Sequence, residues 1–258
     1  MKISRWLPFA SALGLIPAAL PAQGSSLTLP ADRWEWTIAP SALVPSFSGS
    51  YSIAGLDFPG QVTSSSGGAS VYLQARSRDW AFVVDGLYLS LDQPAVSQCC
   101  NPGGGGVDSG GTQGTQWSLQ ALALRCVGTP LELAFGVSAN RVEATVHVWG
   151  ITGGGPVGTP FTVTSSQTQQ WALPVVGARW TPLDHDRWRA SLFGEVGFLS
   201  SDNKMWQLLP SLGYGIGSVT EIVLQYRMMS TVYRAGANYE FNYDVSLSGP
   251  ELAVALRF

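Results

Sequence analysis

The sequence has 258 residues, of which 45% are hydrophobic and only 12% are charged, and its 14 basic and 17 acidic side chains give a net charge of −3. Globular domains carry about 25% charged residues, so this composition argues against an ordinary water-soluble domain. The acidic balance argues against nucleic acid as a partner, because nucleic-acid-binding domains present basic surfaces.

The first 22 residues have the pattern of a secretory signal peptide. Lys2 and Arg5 form a basic segment, Trp6 to Leu20 is apolar but interrupted by two prolines, and small residues follow up to Ala22. The apolar stretch is too short and too kinked for a membrane anchor. We therefore expect residues 1–22 to be removed on export and residues 23–258 to form one domain.

The remainder divides into about ten alternating segments, each near the roughly 9–11 residues that cross a membrane as a tilted strand. The segments are Trp34–Val44, Ala69–Ser77, Asp79–Leu91, Gln116–Val127, Leu131–Val142, Gln170–Thr181, Arg187–Phe198, Met205–Gly215, Thr220–Ser230 and Val245–Phe258. Short turns alternate with long Gly- and Ser-rich connections, as periplasmic turns alternate with extracellular loops in bacterial barrels. The pattern predicts an all-β, antiparallel up-and-down transmembrane β-barrel of about ten strands, with eight as the alternative, in a Gram-negative outer membrane.

Tryptophans mark both ends of these segments. Aromatic side chains form a girdle at each membrane–water interface of such barrels. The predicted girdles comprise Trp34, Trp36, Trp80, Trp180, Trp188 and Phe258 at the periplasmic side and Trp117, Trp149, Trp171 and Trp206 at the outer side.

Alternation within the segments assigns one face to the lumen. In the last segment Leu252, Val254 and Leu256 share one face, whereas Glu251 and Arg257 share the other. A charge facing acyl chains at mid-depth costs about 2–4 kcal/mol, so the charged face points inward. The predicted lumen network comprises Glu35, Arg76, Asp85, Arg179, Arg189, Glu195, Arg227, Glu251 and Arg257.

Three functions fit a barrel of this kind. Paired charges can seal a narrow barrel, or they can line a narrow, porin-like passage for a small solute. A rim-acting lipid or peptide hydrolase is the alternative to both, with His147 as base, because His147 and Glu143 share a face of one strand. The sequence contains no catalytic motif, metal-ligand spacing or cofactor motif, so we expect no cofactor.

Several stretches resemble a group of bacterial outer-membrane β-barrel proteins whose function is not established. The stretches include "RDWAFVVDGLYLSL", "PVVGARW", "RWRASLFGEVGF" and "YDVSLSGPELAVALRF". Asp85 matches an Asp that follows the aromatic residue of the third strand in this group, and Gly177 and Arg179 match its Gly-x-Arg. The resemblance implies an outer-membrane location and contact with lipid. The terminal Phe258 also resembles the signal that barrel-assembly machinery recognises.

Overall fold

A computed structural model describes residues 33–53, 56–60, 67–93, 106–128, 130–152, 159–235 and 241–258. The strands of this part are β1 (Glu35–Leu43), β2 (Ser46–Ile53), β3 (Leu56–Gly60), β4 (Gly68–Arg76), β5 (Trp80–Gln93), β6 (Gly106–Gly128), β7 (Leu131–Thr152), β8 (Thr159–His185), β9 (Trp188–Ser200), β10 (Asn203–Ile216), β11 (Thr220–Ala235) and β12 (Phe241–Arg257). The described residues contain no helix long and apolar enough to cross a membrane. The expected signal peptide, residues 1–22, lies outside them and stays a prediction.

The strands close into a ring of ten. Each strand from β4 to β12 pairs antiparallel with the next, β4 pairs with β1, and β1 pairs with β12, for example Thr37 with Arg257. β2 continues the line of β1 beside β12, and β3 folds back against β2. The ten-strand prediction is therefore confirmed over the eight-strand alternative, and the antiparallel ring is the predicted architecture.

The exterior of the ring is apolar. Along the last eight residues of β12 buried and exposed side chains alternate, and Leu252, Val254 and Leu256 are exposed while Glu251 and Ala253 are buried. The same outward band includes Phe82, Val84, Leu119, Phe135, Val137, Val176, Val196, Leu212, Ile222 and Leu224. A closed antiparallel barrel with such an exterior has the architecture of outer-membrane proteins, in which lipid covers the outer face. The chain is an outer-membrane β-barrel.

We call the short turns at one end of the barrel, which join β4 to β5, β8 to β9 and β10 to β11, the tight turns; a further two-residue turn, 201–202, joins β9 to β10 at the opposite end. Asp186 (φ 54°) and Gly217 (φ 83°) adopt left-handed conformations in the turns after β8 and β10. At the other end β6, β7 and β8 have 23, 22 and 27 residues, which is about twice the length needed to cross a membrane. Strand pairing therefore continues into segments that the sequence pattern predicts as long loops, and β2 and β3 also lie in such a segment.

The interior has two parts. From mid-barrel toward the long-strand end, the inward side chains are mainly apolar and pack as one cluster that includes Leu43, Phe47, Leu89, Leu173 and Phe241. Toward the tight turns, charged and amide side chains share the interior with apolar ones such as Leu122 and Leu124. The prediction of an inward polar face describes only this second part.

Leu224→Arg is expected to destabilise the barrel by about 2–4 kcal/mol, because Leu224 is 55% exposed on the lipid-facing side of β11. Val219→Arg is the matched control, since Val219 is 53% exposed but lies in the turn before β11. Urea unfolding in phosphatidylcholine vesicles measures both. Equal effects of the two substitutions would contradict the placement of the lipid band.

Candidate functional site: the polar interior

Arg227 on β11 bonds to side chains of three other strands inside the barrel. Its Nε donates to Glu251 Oε2 at 2.9 Å, and its Nη1 donates to Asp85 Oδ2 at 3.0 Å and to Gln207 Oε1 at 3.2 Å. Only 2% of Arg227 and none of Glu251 is exposed. One guanidinium thus joins β11 to β12, β10 and, across the lumen, β5.

Glu251 is held from both sides. Ser41 on β1 and Ser70 on β4 donate hydroxyl hydrogen bonds to its Oε1, and Arg227 Nε donates to its Oε2. A buried carboxylate needs such partners, because losing water without replacement bonds costs several kcal/mol. These bonds also join β12 to β1 and β4, the strands on either side of the closure of the ring.

A second pair of groups lies at the same depth. Gln120 on β6 donates through Nε2 to Glu195 Oε1 on β9. Gln120 faces Asp85 across the β5–β6 pair, and Glu195 faces Gln207 across the β9–β10 pair. We call the six side chains Asp85, Gln120, Glu195, Gln207, Arg227 and Glu251 the central belt.

Arg179 on β8 organises a second cluster nearer the tight turns. Its Nε donates to Glu132 Oε2 at 2.6 Å, and its Nη1 donates to Gln74 Oε1 at 2.9 Å and to the Tyr72 hydroxyl at 3.0 Å. Arg76 Nη2 donates to the other oxygen of Glu132 at 2.7 Å. Tyr72, Gln74 and Arg76 all belong to β4, so this cluster ties β4 to β7 and β8 across the lumen.

The remaining predicted lumen charges lie at the rim formed by the tight turns. Arg257 pairs with Glu221, and Arg189 lies 3.2 Å from Asp184. Glu35 is half-buried beside Arg76 in the β1–β4 register. The structure therefore brings the nine predicted residues into three groups rather than one network. Glu221 was missed, although it has the same parity as Arg227 along β11.

The aromatic side chains are divided between lipid and interior. Six of them are about half exposed on the outside: Trp34, Trp36, Trp117, Trp180, Trp188 and Trp206. Trp80 stacks with Phe82 near the tight turns, and Phe258 is exposed at the end of β12. The side chain of Trp149 lies outside the described part.

Trp171 contradicts the girdle prediction. It is 7% exposed and lies inside the barrel, where it stacks on Tyr233 with ring centres 4.3 Å apart. The parity of β8 explains the error, because Trp171 alternates in step with Leu173, Val175 and Arg179, which all face inward. Trp171, Tyr233, Phe241 and Tyr243 form one aromatic group, which we call the aromatic roof.

The proposed hydrolase dyad has no supporting contact. Glu143 pairs with Arg141, whereas His147 Nδ1 lies 3.1 Å from the hydroxyl of Thr164. Both side chains belong to the outward parity of β7. Among the described residues, no three His, Cys, Asp or Glu side chains are grouped as metal ligands.

Neither a family model nor a curated protein matches the sequence. Solved structures with a similar arrangement include Ail, the attachment invasion locus protein of Yersinia pestis, in complex with the heparin analogue sucrose octasulfate; it has 10% identity and a TM-score of 0.40, over 87% of this chain and 99% of that one. Neisserial surface protein A has 13% identity and a TM-score of 0.36, over 87% and 97%. The Pseudomonas putida toluene transporter TodX has 8% identity and a TM-score of 0.36, over 88% and 89%.

The location of Trp171 is testable by fluorescence in brominated phosphatidylcholine, which quenches tryptophans that touch lipid. Trp171→Phe is expected to reduce the emission that survives in brominated vesicles, because Trp171 is shielded inside the barrel. Trp117→Phe is the control and should leave that residual emission nearly unchanged, since Trp117 is 54% exposed to lipid. The reverse pattern would place Trp171 on the outside.

Proposed function

We propose that this protein is a small, sealed outer-membrane barrel that adds a stable, non-conducting element to the membrane. The observation that carries the proposal is Arg227, which is 2% exposed and bonds to side chains on both sides of the lumen. A ten-strand barrel has a narrow interior that side chains can fill. A guanidinium bridging it leaves no straight path for hydrated ions.

Two further layers support the seal. The Arg179 cluster crosses the lumen between β8 and β4 on the side of the tight turns. On the side of the long strands, the aromatic roof spans β8, β11 and β12, and the Tyr243 hydroxyl donates to Gln116 on β6 at 2.6 Å. A solute would have to break three successive sets of contacts to pass.

The ends of the chain fit assembly into the membrane. The backbones of Phe258 and Trp36 exchange two hydrogen bonds, of 2.8 and 3.0 Å, so the terminal residue belongs to the β1–β12 closure. Its exposed ring faces away from the barrel. We infer that the barrel-assembly machinery contacts Phe258 before closure, after export directed by a cleaved segment at residues 1–22.

In planar lipid bilayers the wild-type barrel is expected to show no steady conductance. Arg227→Ala removes the bridging guanidinium and should produce brief current steps, because it opens a polar gap among charged neighbours. Arg141→Ala is the matched control, since Arg141 is half exposed on the outer face and pairs only with Glu143 among its described contacts. A steady wild-type conductance that changes in Arg179→Ala or Arg227→Ala would overturn the sealed barrel.

A further inference from the structure

Three oxygens of the central belt are buried without a hydrogen-bond donor among the described residues. They are Asp85 Oδ1, Gln120 Oε1 and Glu195 Oε2. Their residues are only 8%, 3% and 4% exposed. Buried polar atoms are nearly always partnered, so three such atoms at one depth of one lumen require an explanation.

The contacts of the belt bring together the residues that carry these oxygens. Gln120 is bonded to Glu195 through its amide nitrogen and faces Asp85 across the strand pair. Arg227 bonds to Asp85 and to Gln207, and Gln207 faces Glu195 across the next strand pair. Directly opposed residues have Cβ atoms about 4.5–5.5 Å apart. The five side chains therefore form a closed loop, and the free oxygens belong to three of its members.

The belt contains more acidic than basic groups. Its three carboxylates belong to Asp85, Glu195 and Glu251, and Arg227 is its one base. Glu251 is satisfied by Arg227 and two serines, whereas Glu195 has no ion-pair partner among the described residues. An uncompensated carboxylate in a dry interior is expensive, so a positive species is needed beside Glu195 and Asp85.

The chemistry of the three unpartnered oxygens indicates which kind of positive species fits beside them. All three are acceptors, and a single proton shared between the carboxylates would supply one donor for three oxygens. A cation coordinated by all three oxygens would give each of them a partner and would also offset the negative charge. Carboxylate and amide oxygens are the ligands of hard cations, and Ca²⁺ accepts irregular sets of six to eight oxygens, which waters can complete. Mg²⁺ demands near-ideal octahedral geometry and suits a fixed protein site less well.

We propose that Asp85, Gln120 and Glu195 bind a Ca²⁺ ion inside the barrel. The set has only two carboxylates, and the amide of Gln120 supplies its third protein oxygen. The ion would lie between β5, β6 and β9 and would tie these strands together, as Arg227 ties β5 to β11 and β12. This site is a permanent part of the interior and takes no part in transport.

The test uses the full barrel refolded in zwitterionic detergent, which contains no lipopolysaccharide to bind calcium. When refolding is carried out in CaCl2, mass spectrometry of metal content is expected to find one Ca²⁺ per wild-type barrel after gel filtration, and none when refolding is carried out in EDTA. Calcium should also raise the unfolding temperature relative to EDTA. Glu195→Gln should retain at least tenfold less calcium and lose the temperature shift, while Glu143→Gln, on the outer face, should match the wild type.

Glu195→Gln keeps the size of the side chain and replaces a free acceptor with an amide that can donate to Asp85 or Gln120, so the variant is expected to fold. If it does not, as judged by heat-modifiable migration in electrophoresis, Asp85→Asn takes its place. The proposal is overturned if wild-type protein retains no calcium, if the variant retains as much as the wild type, or if Mg²⁺ is retained equally well.

Discussion

A charge on the inner face of this barrel has lipid behind the wall and little room for water beside it, and this constraint decides the structure of the interior. Arg227 meets it by bonding to Glu251, Asp85 and Gln207 from a position that is 2% exposed. Replacing one member of such a buried pair leaves an uncompensated charge, which costs about 3–5 kcal/mol. The central belt is therefore the point on which strand closure, lumen filling and impermeability all depend.

The rest of the interior is arranged around that belt. Small residues make room for its neighbours: a Cβ at Gly177 would come within 2.4 Å of the backbone oxygen of Gly194 and 2.8 Å of Glu195 Cβ. Outward from the belt the filling is mainly apolar and ends at the aromatic roof, whereas toward the tight turns Arg179 bonds across the lumen to Tyr72 and Gln74. These two layers extend the closure of the lumen on both sides of the belt.

Sequence periodicity predicted the ten strands of the ring, its closure and the inward parity of the charges, because an alternating pattern indicates which side chains face lipid. The prediction was wrong where the alternation along a strand and the type of residue pointed to different faces. Its position at a strand end predicted Trp171 in a girdle, although Trp171 lies on the same inward face of β8 as Arg179. The apolar outer half was missed because an inward Leu and an outward Leu look alike in sequence.

The sequence also did not indicate which charged side chains pair with each other. Arg227 reaches Asp85 across three intervening strands of the ring, and this match depends on the tilt and register of the closed barrel. The calcium site has the same origin, since its ligands come from β5, β6 and β9. Sequence spacing contains no metal motif because Glu195 on β9 approaches the β5–β6 pair of Asp85 and Gln120 only in the closed ring.

The coupling between Arg227 and Asp85 tests the central claim most directly. A double-mutant cycle with Arg227→Met and Asp85→Asn, measured by urea unfolding in vesicles, should give a coupling free energy of at least about 1.5 kcal/mol, as close buried charge pairs do. The exposed pair Arg141 and Glu143 provides the control, with a coupling below about 1 kcal/mol. Additive effects of the two belt substitutions, within about 0.5 kcal/mol, would show that no cross-lumen bond organises this barrel.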